Sequence, residues 1–155
     1  MDETYIGGKR HGKRGRGSSN KIPVFGMIER DGKVKVEIIP NVESETLRRI
    51  IRENVKEHSK VYSDRFKSYS SLVINGYEHI KIDKEKAFAN GKTHINTIES
   101  FWAYAKENLA KFHGIKPKKL FLYLKELGFR FNNRNNKDLA TLIFKYLVSL
   151  VRFYT

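Results

Sequence analysis

The chain has 155 residues, with 31 Lys and Arg against 17 Asp and Glu for a formal charge of +14, and no cysteine. That length and a hydrophobic fraction of 39% fit one domain closing one core, and ten Phe with eight Tyr exclude a disordered polybasic tail. The lack of cysteine excludes disulfide scaffolds, thiolate metal sites and cysteine nucleophiles, no apolar run reaches secretory-signal length or the roughly 18 residues of a membrane span, and the charge favours an anionic partner such as nucleic acid.

A first strand is expected over Asp2–Ile6. The stretch Lys9–Lys21 holds six basic residues, interspersed glycines and no acid, and reads as a loop able to follow a phosphate backbone. Two β-branched and aromatic runs follow, Ile22–Glu29 and Lys33–Ile39, joined by the two-residue hairpin signal Asp31-Gly32. In the second, Val34, Val36 and Ile38 alternate with Lys33, Lys35 and Glu37, as on an edge or near-edge strand. Glu43–Glu57 turns to helical spacing, with Leu47, Ile50, Ile51 and Val55 on one face. Lys60–Ser63 reads as a short strand ending at Asp64, Phe66–Ile74 as a short helix closed by Asn75-Gly76, Tyr77–Ile82 as a strand and Lys84–Thr93 as a loop. The clearest helix is His94–Phe112, where Ile95, Ile98, Trp102, Ala105, Leu109 and Phe112 recur at steps of three and four before Gly114. Pro117 opens a further helix through Leu120, Leu124, Leu127 and Phe131. Asn132–Asn136 breaks it, and Asp138 caps a last helix carrying Leu139, Ile143, Tyr146, Leu147 and Leu150. The order describes an α/β layer with a helical tail.

Charge is unevenly placed: residues 1–21 carry six basic and two acidic side chains, residues 22–99 fourteen and twelve, residues 100–155 eleven and three. Two basic regions flank a nearly balanced middle. Within this order Asp2 on the first strand, Asp64 after a short strand and Glu99 on the amphipathic helix would be able to meet at one sheet edge. Three converging carboxylates need a cation among them, and hard oxygen donors suit Mg²⁺ or Mn²⁺. Lys106 lies seven residues beyond Glu99, nearly two turns, on the same face, with Ala103 between. On spacing alone, ordinary solvent-facing positions on an amphipathic helix account better for Glu99 and Lys106.

The segments DETYIGGK (Asp2–Lys9), YSDRFKSY (Tyr62–Tyr69), HINTIESFWAYAK (His94–Lys106) and FRFNNR (Phe129–Arg134) resemble, in the same order, the catalytic domain of a group of bacterial insertion-sequence transposases of the DDE superfamily. Separations of 62 residues from Asp2 to Asp64 and 35 from Asp64 to Glu99 are similar to that superfamily's pattern, and Lys106 falls at its recurring basic position. The likeness implies a ribonuclease H-like, integrase-like mixed sheet of about five strands flanked by helices, with a C-terminal helical extension. Residues 1–113 would form that core and residues 114–155 the extension of the same domain. Only Met1 precedes Asp2, where the fold's first strand would begin earlier, so the chain reads as a core with a truncated first strand and without a region for recognising DNA ends.

The resemblance further implies a polynucleotidyl transferase that cleaves phosphodiester bonds at transposon ends and joins strands by in-line attack of a 3′-OH. Asp2, Asp64 and Glu99 would be both catalytic residues and ligands of two Mg²⁺ or Mn²⁺ ions. His94 and Asn96 match motif positions as supporting residues, and Trp102 reads as core. Lys9, Arg10, Lys13, Arg14, Arg16, Lys106, Lys111, Lys118, Lys119, Arg130 and Arg134 would hold backbone phosphates of transposon-end and target DNA. A homo-oligomer on DNA in the bacterial cytoplasm, associated with the nucleoid, with no membrane and no small-molecule substrate, completes the expectation. Two alternatives are a catalytically inactive DNA-binding remnant and a ribonuclease H-like nuclease or resolvase that cleaves without joining.

Overall fold

The computed structural model describes residues 1–7, 21–30, 32–64, 76–82, 96–112 and 115–152, with the side chains of residues 96 and 150–152 outside that description. Its elements run β1 (Asp2–Ile6), β2 (Ile22–Ile28), β3 (Val34–Ile38), α1 (Ser44–Asn54), β4 (Lys60–Ser63), β5 (Glu78–Lys81), α2 (Asn96–Ala110), α3 (Pro117–Asn132) and α4 (Leu139–Arg152). The helix expected at Phe66–Ile74 and the loop expected at Lys84–Thr93 lie outside the described residues.

β1, β2 and β3 form an antiparallel sheet in that order, while β4 and β5 pair in parallel as a second sheet. The mixed α/β class expected from the sequence is present, whereas a single five-stranded sheet is not formed among the described residues. One main-chain bond reaches from the first sheet to the second, the Met1 nitrogen donating to the Tyr62 carbonyl at 2.7 Å.

Strand alternation divides the core into two layers. One face carries Val24 and Gly26 of β2 with Val34 and Val36 of β3, covered by Ile98, Phe101, Trp102, Ala105 and Leu109 of α2 and by Leu120, Leu124 and Leu127 of α3. Phe25, Met27 and Ile39 point the other way, onto Leu47, Ile50 and Ile51 of α1 and onto Val61 and Tyr77. The periodicities of α1, α2 and α3 are therefore burial stripes, and each of these three helices is held by the face its stripe covers.

Several boundaries shift for local reasons. The β2–β3 loop is one residue longer than an Asp-Gly turn, because the Glu29 N–H donates to the Lys33 carbonyl at 3.3 Å and the Gly32 N–H to the Glu29 carbonyl at 3.1 Å. α1 ends at Asn54 instead of Glu57, since Val55 turns extended (φ −119°) and His58 takes a left-handed φ of 63° to reverse the chain into β4. α2 stops at Ala110, and its last turn tightens into i→i+3 bonds at Lys111 and Phe112. Pro117 opens α3 as expected.

Asp138 caps α4 as its position suggested. The Thr141 N–H donates to Asp138 Oδ1 at 3.1 Å, and hydrogen bonds from Thr141 hold the Asp138 carboxyl below its ordinary pKa. The apolar face of α4 stays open, with Ile143, Phe144, Tyr146 and Leu147 all exposed and Tyr146 meeting the ring of Phe129 edge-on at 6.0 Å.

Candidate functional site

Asp2 opens β1 directly opposite Gly26 of β2. Above that pair lies α2: a Cβ at Gly26 would stand 2.5 Å from Trp102 Cζ2 and 2.9 Å from Ile98 Cδ1. Glycine is required there because the helix rests on the strand backbone itself. Side chains two apart on a strand share a face, so Asp2 shares one with buried Thr4, the face that α2 covers. Ile98 and Trp102 thereby seat α2 over the start of β1, and Glu99 follows Ile98 on the first turn of that helix.

Glu99 itself is exposed between the buried Ile98 and Phe101, and an acid in the first turn suits the positive end of the helix dipole. Ala103 and Lys106 are exposed along the same helix, as the seven-residue spacing indicated. Their exposure fits a ligand-facing strip and a plain solvated face alike.

Asp64 follows β4, two residues after Tyr62, whose ring packs into the α2-side core and whose carbonyl takes the Met1 nitrogen. The Met1 ammonium lies between the two sheets. Burial pushes it from 8.0 down to about 6, while the carboxylates of Asp2, then Asp64, then Glu3 act to raise it. Asp2 and Asp64, 62 positions apart in the chain, both act on the charge of the Met1 nitrogen. Glu99 is brought to the same end of the fold by α2. Among the described residues, however, no group of three or more Asp, Glu or His side chains is drawn close enough to hold a metal ion.

Sequence reasoning missed a buried support beneath Asp64. Ser63 is fully buried, and its Oγ–H donates to the Asp64 carbonyl at 2.9 Å while lying 2.7 Å from His79 Nε2. Burial lowers the His79 pKa below 6.5, and the Lys81 and N-terminal charges add to the effect. With His79 neutral and Nε2 protonated, its ring donates to Ser63 and Ser63 donates onward to Asp64, a relay that fixes the backbone at the acid. A serine beside a candidate ligand was the visible signal, but its partner on β5 depends on the parallel pairing.

The expected DNA contacts separate into three groups. Lys9, Arg10, Lys13, Arg14, Arg16 and His94 lie outside the described residues, as does the side chain of Asn96 at the start of α2. Lys106, Lys111, Lys118 and Lys119 are exposed about the turn from α2 to α3. Arg130 and Arg134 are engaged within the chain. Arg130 pairs with Glu126 at 2.8 Å, and Arg134 donates to the Phe131 carbonyl at 2.8 Å and lies 4.3 Å over the Phe131 ring.

No helix among the described residues is long and apolar enough to cross a membrane. No solved structure matches the chain. It is 43% identical over 111 residues to an uncharacterized transposase-like protein of Haemophilus influenzae, an alignment covering 72% of this chain and 90% of that one. It is also 28% identical over 124 residues to an uncharacterized protein in transposable element ISH50 of Halobacterium salinarum, where the alignment covers 76% of this chain and 42% of that protein. Residues 1–132 match the model of the ISXO2-like transposase domain, a span that takes in both core layers, Asp2, Asp64 and Glu99 and ends with α3. The chain therefore belongs to the ISXO2-like transposase domain family.

Proposed function

We propose that this transposase-family chain is a DNA-cleaving and strand-joining core of the DDE type, with a ribonuclease H-like arrangement in which Asp2, Asp64 and Glu99 are the working acids. The observation that supports it most is that the Met1–Tyr62 main-chain bond sets the residue before Asp2 against the strand that leads to Asp64, beneath the helix that carries Glu99. Their donor chemistry fits Mg²⁺ or Mn²⁺: Asp2 and Asp64 offer two hard carboxylates and Glu99 a third on the neighbouring helix. When bound there, such ions would neutralise phosphate oxygens and acidify a water.

The protein's own part is to hold and orient. Ser63 and His79 fix the main chain at Asp64, and Gly26 sets the height at which α2 presents Glu99. Lys106, Lys111, Lys118 and Lys119 attract the DNA backbone without reading its bases.

The test is Mg²⁺- or Mn²⁺-dependent nicking and strand transfer on DNA carrying the element's ends. Asp64→Asn should keep the fold, by circular dichroism, and lose more than the roughly 10–100-fold that an outer-shell change costs. Equal activity in wild type and variant removes Asp64 from the chemistry. Salt-sensitive DNA binding with no cleavage would identify an inactive remnant, and cleavage without joined products a nuclease.

A further inference from the structure

Trp102 is the single tryptophan of the chain and is 4% exposed, and its indole Nε1 is buried without a hydrogen-bond partner among the described residues. A buried N–H left unpaired is costly, and a phenyl ring would fill the same layer without one, so the nitrogen calls for an acceptor.

The helix geometry says on which side that acceptor stands. Phe101 turns towards α3, where it meets the Phe131 ring edge-on at 5.1 Å. α3 in turn lies along β3, held there by the paired bonds of Asn132 with Val34, and β1 is at the other edge of the sheet. Trp102 is one residue on from Phe101, about 100° round the helix, and so lies across the Ile98, Ala105 and Leu109 stripe on the β1 flank. Glu99, three residues before it, and Lys106, four after, stand on that flank one turn to either side.

The strand beneath fixes the tip of the ring. Cζ2, bonded to the carbon that carries Nε1, comes within 2.5 Å of the Gly26 Cβ position, nearer than Cη2 at 3.0 Å, so the nitrogen side of the indole is the one tipped towards the strand. Asp2 is directly opposite Gly26 and on the same face, and opposed residues of an antiparallel pair set their Cβ positions about 5 Å apart. Asp2 is therefore the acid that the register sets beside the indole, and Gly26 has no side chain to stand between them.

We infer that Trp102 is a positioning residue of the acid site: its Nε1–H donates to one oxygen of the Asp2 carboxylate when that group turns over Gly26. The second oxygen is then left to a divalent cation with its direction set, as an outer-shell donor does for a ligating carboxylate. The inference rests on the reading of Asp2 as a working acid. It gives the tryptophan a task that another apolar ring at this position could not perform.

With one tryptophan in the chain, the indole N–H gives a single peak in a ¹H–¹⁵N spectrum. In Mg²⁺ buffer, Asp2→Leu, which keeps the bulk and has no oxygen to accept, should move that proton upfield and speed its exchange about tenfold. The amides of Ile50 and Ile51, in the other core layer, should keep their rates. Thr4→Val removes the hydroxyl of the next residue on the same face and should leave the indole peak in place. An indole peak indifferent to Asp2→Leu, or one that moves only with Thr4→Val, overturns the inference. Trp102→Phe keeps a ring and loses the donor, and its Mn²⁺ affinity by calorimetry should fall about 10–100-fold without loss of the thermal midpoint. Unchanged Mn²⁺ affinity in that variant also overturns it. A wild-type chain that takes up no Mn²⁺ would instead count against the metal-dependent chemistry, and the indole peak would still decide whether Trp102 holds Asp2.

Discussion

The side-chain amide of Asn132 pairs with the main chain of Val34 as a strand residue would. The Val34 N–H donates to Asn132 Oδ1 at 2.7 Å, and Asn132 Nδ2 donates to the Val34 carbonyl at 2.9 Å. Val34 is at the outer edge of β3, where both groups would otherwise have no strand to bond. The bond also ties the last turn of α3 to the sheet. Asn132→Leu should cost about 2–3 kcal/mol by denaturant unfolding, because it deletes two bonds and strands a buried N–H. Asn132→Asp keeps an acceptor for the N–H but sets a carboxylate oxygen against the carbonyl. Stability of Asn132→Asp equal to wild type would show that the donor half contributes nothing.

Gly26→Ala is expected to cost about 1–3 kcal/mol, since its methyl would enter the Trp102 ring and the Ile98 side chain. The strain falls on the seating of α2, so any metal-dependent activity should drop by more than the lost stability explains. Unfolding curves and activity at a temperature where both proteins are fully folded separate the two effects.

Ser63→Ala removes the hydroxyl that links His79 to the Asp64 backbone. It leaves the half-buried His79 Nε2 without that acceptor, which should cost about 1 kcal/mol. Ser63→Thr keeps the hydroxyl and should recover most of the loss. If Ala and Thr are equally stable and equally active, the relay plays no part at Asp64.

Stability should rise with pH from about 6 to 8. Over that interval the unfolded α-amine, at 8.0, still holds a proton that the folded Met1 amine, at about 6, has released, so the unfolded state binds more protons and ΔG of unfolding increases with pH. The full difference amounts to roughly 3 kcal/mol. His79 acts in the same sense at lower pH: with its folded pKa below 6.5, its contribution is complete above 6.5 and is lost as pH falls towards the folded value. His79→Gln should flatten only the acidic part of the curve, as followed by urea midpoints across pH.

If DNA lies along the α2–α3 turn, Lys118→Ala with Lys119→Ala should weaken binding to any sequence alike and reduce the slope of log K against log salt by about 2. Arg130→Ala should change it less, because Arg130 is already paired with Glu126. An unchanged slope in the double variant places the DNA elsewhere.

The elements were largely legible because each rests on a period. Val34 and Val36 against Lys35, or Ile98, Trp102, Ala105 and Leu109 at steps of three and four, state which face is buried before any partner is known. What the partners would be was not legible. Nothing local marks Gly26 as the seat of Trp102, or Asn132 as a substitute strand for a residue 98 positions earlier. The acids show the same division: chain order was enough to nominate Asp2, Asp64 and Glu99, but the convergence of the first two depends on β4 lying beside the start of β1. Arg130 and Arg134 were nominated for charge alone, and their neighbours Glu126 and Phe131 already engage them.

The 98-residue span between Val34 and Asn132 also sets an order of events during synthesis. β2 and β3 can pair as soon as the hairpin has emerged, yet the outer edge of β3 at Val34 stays open until the ribosome has made the end of α3. A chain stalled or cut anywhere before residue 132 carries an unblocked edge strand flanked by apolar Val34, Val36 and Ile38, the kind of template on which other chains add. Incomplete products of this gene should therefore aggregate where the complete domain does not, and one asparagine near the end of α3 is what retires that hazard.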